Sequence, residues 1–282
     1  MKKEKFKYRI IKDKIFSVFI FCGAILITVP LFLLLYHIIS KGISAINWNF
    51  FVSLPSPPGE SGGGISNAII GTVMLIILSC VFSVIPSILI GIYLSENKST
   101  KISNIVRVGV DVLQGVPSIV IGIIVYAWIV KTMGTFSALS GGFALALMMM
   151  PIITKTTEET LKLIPNKLKE AAYALGVPYY KIILKVVLPS GLSGLLTGIL
   201  LAIARVAGET APLLFTAFGN PFMNLNVMKP VDNLPLLIFN YAGSPYSEWH
   251  AIAWGASFVL VMFVLLLNIL AKMVAKRWKV QF

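Results

Sequence analysis

The chain has 282 residues, of which 57% are hydrophobic and 12% charged, and its mean hydropathy is +0.88. Soluble domains carry about 45–50% apolar and about 25% charged residues, so this composition excludes a water-soluble globule and indicates an integral membrane protein. The net charge is +13. Such an excess can indicate a nucleic-acid partner, but only if the basic residues are not explained by membrane topology.

Six apolar stretches reach the length of about 20 residues that a helix needs to cross a bilayer. They are Ile15–Ser40, Ile65–Ser95, Val112–Val130, Thr132–Thr154, Val186–Phe218 and His250–Ala271. The stretches are too long, and lack the period of two, for the strands of a membrane barrel. The sequence therefore predicts an all-α polytopic membrane protein with six transmembrane helices.

The basic residues lie in alternate segments between these spans. Seven precede or include Lys14, three follow the second span, six lie between the fourth and fifth spans, and four lie in the tail; the other loops hold one each. Because loops rich in Lys and Arg stay on the cytoplasmic side, both termini are predicted to be cytoplasmic. The net positive charge is then explained by the membrane topology, and we expect no nucleic-acid partner.

The predicted spans and loop charges divide the chain into three parts. Residues 1–64 hold the cytoplasmic amino terminus, the first helix and an outer loop, and the first helix is too long for the apolar region of a cleaved signal peptide. Residues 65–272 form the main transmembrane domain. Residues 273–282 form a cytoplasmic tail.

The longest inner segment, residues 155–189, predicts two short helices joined by a sharp corner. Lys167–Leu175 has helical character, Gly176 follows at the position of a left-handed carboxy-terminal cap, and Pro178 suits the first turn of the next helix. That next helix is expected to end at Pro189.

The same segment carries a recognisable motif: Glu170, Ala171, Ala172, Gly176, Val186, Leu188 and Pro189. Its spacing resembles the EAA-x3-G-x9-I-x-L-P sequence of ABC importer permeases, with Val186 in place of Ile as the only departure. The alternative is an ordinary surface helix that matches by accident. The resemblance covers about Asn67 to Lys272 and implies the type I ABC importer permease fold.

In that family the segment is a coupling helix that docks on an ATP-hydrolysing subunit, so the resemblance implies this role for the Glu170–Gly176 segment. The sequence contains no GxxxxGK[ST] Walker motif. ATP is therefore expected to be used by a separate chain, and the present chain is expected to hold no cofactor and to be a transport subunit, not an enzyme.

Two charges, Arg205 and Glu209, interrupt the fifth apolar stretch. A charge near the bilayer centre costs about 2.5–3.5 kcal/mol on insertion scales, so both are expected to face protein or water. Four residues apart on one helix, they can pair. The pair is either structural, or it presents a guanidinium on an anion path, because the planar fork of Arg suits phosphate.

The stretches Leu113–Gly122 and Ala204–Leu214 are similar to the phosphate-specific transport permeases of bacteria, and the second is most like their PstA type. The resemblance implies inorganic phosphate as substrate, with Arg205 and Glu209 on its path through the bacterial cytoplasmic membrane. It also implies a second permease subunit, two ATP-binding subunits and an extracytoplasmic phosphate-binding protein. The alternatives are a permease for another oxyanion or solute, and an ATP-independent secondary transporter.

Overall fold

The computed structural model describes residues 2–60 and 62–277, and all its named elements are helices. In chain order they are α1 (Lys2–Ala45), α2 (Trp48–Val52), α3 (Ser66–Glu96), α4 (Lys101–Gly115), α5 (Ser118–Met133), α6 (Ala138–Lys162), α7 (Asn166–Ala174), α8 (Tyr179–Val206), α9 (Ala211–Leu214), α10 (Leu234–Ala242) and α11 (Ser247–Arg277). The last residues of the predicted tail, from 278 onward, lie outside this range.

Five of these helices (α1, α3, α6, α8 and α11) are long and apolar enough to cross a membrane. α4 and α5 meet the same criterion only as a pair, and their axes differ by 102°; counted as one broken span, the pair brings the number to six. The predicted span Val112–Val130 is thus not one straight helix. Pro117 disfavours helical geometry at Val116, which is extended with ψ 130°, and the chain bends there.

Three further helix boundaries differ from the predictions. α5 continues to Met133 and ends at Gly134 (φ +71°), so the fourth span begins at Ala138 and not at Thr132. The fifth span ends at Val206 and not at Phe218. Pro189 does not end the preceding helix, because a π-helical turn, Ile183–Val187, comes directly before Leu188–Pro189 and the helix continues.

The core forms where α3 packs along α6. Every fourth position of α3 that faces α6 carries a small residue; these are Ser79, Ser83, Ser87 and Gly91. Positions four apart lie on one helix face, and small side chains let two backbones approach closely. A Cβ at Gly91 would stand 2.6 Å from Thr157 of α6, so this approach requires glycine.

The bundle has two chemically different ends. The lysine-rich end holds the carboxy termini of α3 and α6, together with α7 and the start of α8; its basic residues include Lys98, Arg107, Lys155, Lys162, Lys167, Lys169 and Lys181. The loop end holds the start of α6, the end of α1 and residues 215–249. There α10, too short to span, packs on the bundle with Leu236 and Leu237 buried.

Candidate functional site

Arg205 lies in the last turn of α8, and Glu209 lies beyond the helix end. The chain leaves α-helical geometry because Pro212 has no N–H to donate to Gly208, and the backbone closes with tighter bonds such as Glu209 N–H to Val206 O at 3.1 Å. The expectation that both residues share one continuous helix face is therefore wrong. They still approach each other, with Arg205 Nε 4.0 Å from Glu209 Oε1.

This approach is loose for an ion pair. The Arg205 side chain is 48% exposed and that of Glu209 is 21% exposed, and no hydrogen bond joins them. Val206, the neighbour of Arg205, belongs to the same core cluster as Leu75 and Leu145. Those two residues lie seven to nine positions from the loop-end starts of their helices, which is roughly 10–14 Å at the rise of an α-helix. Arg205 therefore lies at this depth along the bundle, with its side chain half-exposed and its guanidinium without a hydrogen bond to Glu209.

The segment after the helix end is held by close packing against α5. A Cβ at Gly122 would stand 2.7 Å from Pro212 Cα, so only glycine allows α5 and α9 to approach this closely. Gly122 and Pro212 belong to the two stretches, Leu113–Gly122 and Ala204–Leu214, that resemble phosphate permeases. The structure brings these two stretches together beside Arg205.

The predicted coupling residues lie on α7 and in its terminal turn. Glu170 and Ala171 are exposed, whereas Ala172 is half-buried and packs against the cluster formed by Leu161, Ile164 and Ile182. Gly176 has φ +73° and closes the helix through its N–H, which donates to Tyr173 O at 2.8 Å. The predicted left-handed cap is thus confirmed, and Ala172 faces the bundle and not the open surface.

Sequence reasoning missed the residues that fix α7 to the bundle. Lys169 pairs with Glu96 at the end of α3, and Tyr179 donates a hydrogen bond to the other Glu96 oxygen at 3.0 Å. The Lys169 and Glu96 side chains are only 14% and 15% exposed. No local pattern could reveal this pair, because its members are separated by 73 residues.

A second ion-pair cluster fixes α4 to α6 at the same end. Arg107 Nε lies 2.8 Å from Glu158 Oε1, and Lys162 lies 2.5 Å from the same oxygen. The Arg107 guanidinium also donates to the carbonyls of Leu94 and Lys98, both at 2.9 Å. It thereby satisfies the Leu94 carbonyl in the last turn of α3, where carbonyls lack a partner within the helix, and the Lys98 carbonyl just beyond it.

One helix joins the two candidate regions. α8 begins at Tyr179, beside the Lys169–Glu96 pair, and ends one residue after Arg205. Its 28 residues correspond to about 40 Å. A single continuous helix therefore connects the α7 segment to the Arg205 region.

Comparison with known proteins identifies the family. The model of the binding-protein-dependent transport system inner membrane component matches residues 87–280. The chain belongs to this family. It is 44% identical to the phosphate transport system permease protein PstA of Yersinia pestis, over 87% of this chain and 84% of the relative. The PstA of Pasteurella multocida is 39% identical, over 96% and 97% of the two chains.

The fold has a relative among solved structures. A chain of the MetNI methionine ABC transporter in an inward-facing conformation superposes with a TM-score of 0.64 and covers 77% of this chain and 96% of its own length. Its sequence is 19% identical, so the likeness concerns the fold alone. It confirms the predicted all-α, type I ABC importer permease fold.

Proposed function

We propose that the chain is a permease subunit of an ATP-driven importer of inorganic phosphate. The observation that carries this proposal is the extended likeness to PstA permeases. It includes the probable PstA of Methanocaldococcus jannaschii, 38% identical over 91% of both chains. Relatives this similar over nearly whole chains share their fold.

Arg205 is the group that meets the anion, and Glu209 orients its guanidinium. A half-exposed guanidinium at this depth needs a water-filled path or a partner protein beside it, because exposure to lipid would be costly. Its contact with Glu209 is too long to consume its donors. The free planar fork can then donate two hydrogen bonds to a phosphate oxygen pair.

The exposed face of α7, with Glu170 and Ala171, docks on the ATP-hydrolysing subunit. The small side chain of Ala171 allows the ATPase subunit to approach the helix backbone closely. Ala172 packs against the bundle and so holds the helix in place. Gly176 sets the corner between α7 and α8. The chain itself then needs no cofactor, and ATP is bound and hydrolysed by two partner subunits.

The lysine-rich end faces the cytoplasm, and the loop end faces outward. The charge asymmetry between loops supports this orientation, which places both termini in the cytoplasm. A second, similar permease subunit completes the path, and an extracytoplasmic phosphate-binding protein delivers the anion at the loop end.

The test is uptake of labelled phosphate by the complete complex in proteoliposomes, with and without ATP. We expect uptake only with ATP and binding protein present, and no inhibition by a large excess of sulfate. ATP-independent uptake would contradict the importer, and a preference for sulfate would contradict the substrate.

Orientation is tested separately with single cysteines in a background that lacks Cys22 and Cys80. We expect a cysteine at Ser99 to react only with membrane-permeant thiol reagents, and a cysteine at Glu60 to react with impermeant ones added outside. Both positions are exposed. Reversed labelling would contradict the cytoplasmic placement of α7.

A further inference from the structure

A cavity of about 580 Å³ opens at the loop end of the bundle. Its walls are mostly proline and aromatic residues from four separate segments, and they include Pro55, Pro57, Phe218, Phe222, Tyr241 and Trp249. This volume is in the range of sites for small molecules or for the tip of a peptide segment. The cavity lies far along the bundle from the lysine-rich end that holds α7.

One acidic residue, Asp232, lines this otherwise apolar cavity and is only 8% exposed. Its Oδ1 accepts the Asn233 N–H at 2.9 Å, and its Oδ2 has a single long contact of 3.5 Å from Asn67 Nδ2. A carboxylate can accept about four hydrogen bonds, so most of its capacity is unused. Burial raises the pKa of Asp232 to about 7, against the lowering effect of these two hydrogen bonds.

Asp232 also lacks a counter-ion. Among the side chains that the structure describes, no Lys, Arg or His nitrogen lies within salt-bridge distance of its carboxylate. The nearby Tyr241 has its pKa raised to about 12 by burial and by the Asp232 charge. Burying an ionised carboxylate without a cation costs free energy, and a cation brought by a ligand would offset that cost.

The walls around Asp232 suit a cationic group with an attached peptide. The rings of Tyr241 and Trp249 are stacked, with centroids 4.2 Å apart, and aromatic faces attract ammonium and guanidinium groups. Trp249 Nε1 is buried without a hydrogen-bond acceptor. The cavity thus combines an acceptor with unused capacity and aromatic walls, which a basic side chain with an apolar stem could satisfy better than a bare inorganic cation.

We propose that this cavity receives a lysine or arginine side chain of the extracytoplasmic binding protein, with Asp232 as its counter-ion and the aromatic walls around its stem. The proposal rests on the proposed function and orientation, which place the binding protein at this end. Charge complementarity selects this occupant: the cavity offers one buried negative charge and apolar walls, which fit a long basic side chain.

The experiment measures the affinity of the purified binding protein for the complete complex in nanodiscs. We expect Asp232→Asn to weaken binding by about 30-fold or more, because the basic side chain would lose its buried partner. The Asn oxygen still accepts the Asn233 N–H, so the local turn is retained. Phe222→Leu, at a site that is 72% exposed and therefore safe for folding, should weaken binding by about three- to tenfold.

Glu60→Gln is the matched control, since it removes an exposed negative charge at the same end and should leave the affinity unchanged. N-acetylarginine amide at millimolar concentration should compete with the binding protein on the wild-type complex and have no effect on Asp232→Asn. Unchanged affinity in both Asp232→Asn and Phe222→Leu would overturn the proposal. A complex that binds through Asp232 but fails to import phosphate would instead overturn the proposed substrate.

Discussion

The two ends of the bundle differ in how their charged side chains are paired. At the lysine-rich end three acidic residues are paired with cations: Glu96 with Lys169, Glu158 with Arg107 and Lys162, and Asp111 with Lys155 at 2.6 Å. Toward the loop end Asp232 has no cation within salt-bridge distance among the described side chains, and Arg205 has a 4.0 Å contact with Glu209. The first arrangement satisfies charge within the chain, and the second leaves it for another molecule.

We propose that this difference separates structural charges from functional ones. A paired and hydrogen-bonded charge fixes two helices relative to each other, and breaking the pair leaves one partner uncompensated. An unpaired charge inside a bundle costs free energy in the isolated chain, and that cost is recovered only when an anion, a water-filled path or a partner arrives. On the proposed function, the lysine-rich end then couples the chain to the ATPase subunit, and the region toward the loop end binds the anion and the binding protein.

The largest effect is expected at Arg205. Arg205→Gln should reduce phosphate uptake to background, because the amide loses the charge, and Arg205→Lys should be impaired because an ammonium lacks the fork. Since the contact with Glu209 is long and partly exposed, these changes should leave complex assembly intact. Uptake and complex yield are measured together for each variant.

Glu209→Gln is the internal control, and its effect should be milder because the amide oxygen can still orient Arg205. A purely structural pair makes the opposite prediction. Removal of either charge alone would then impair assembly, and the Arg205→Gln, Glu209→Gln double variant would recover both yield and uptake. Full uptake by that double variant would show that Arg205 does not meet the anion.

The next effect is expected at the Glu96–Lys169 pair. Glu96→Gln should leave Lys169 unpaired, loosen α7 and lower uptake by about tenfold, with less ATPase subunit retained on purification. Exchanging the charges, Glu96→Lys with Lys169→Glu, should restore part of both. Lys98→Met removes an exposed lysine at the same end and serves as the control. A charge exchange no better than either single variant would contradict a positioning role.

The helical class and the Gly176 corner could be predicted because each depends on local sequence, and the lysine distribution is read directly from that sequence. Helix boundaries were harder to predict. Pro189 was expected to end a helix, but the π-helical turn before it keeps the helix continuous. The break falls instead at Gly208–Pro212. The Glu96–Lys169 pair and the Asp232 cavity depend on segments distant in sequence. Only packing brings them together, so no spacing rule could have found them.

A smaller effect, measured on the stability of the complex without binding protein, is expected from the titration of Asp232. Its pKa is about 7 in the folded chain against an ordinary value of 3.8, so the folded state holds the proton longer. The resulting stabilisation is complete below about pH 4 and is lost as the pH rises through 7, with an upper limit of about 4 kcal/mol. The thermal midpoint of the complex without binding protein should fall from pH 5 to 8, and the fall should be smaller in Asp232→Asn. An identical pH profile in both would contradict a buried, titrating Asp232.

The smallest effect is expected at Gly176, and it tests whether the corner after α7 matters through its backbone or its surface. A Cβ at this position would meet nothing within 4 Å, so a substitution costs only left-handed backbone strain, about 1–2 kcal/mol. Gly176→Val should therefore reduce retention of the ATPase subunit a few-fold, and Gly176→Asn should remain near wild type, because Asn tolerates φ +73°. Equal damage by Val and Asn would mean that the ATPase subunit contacts Gly176 directly. Normal retention in both variants would mean that the geometry of this corner does not govern docking.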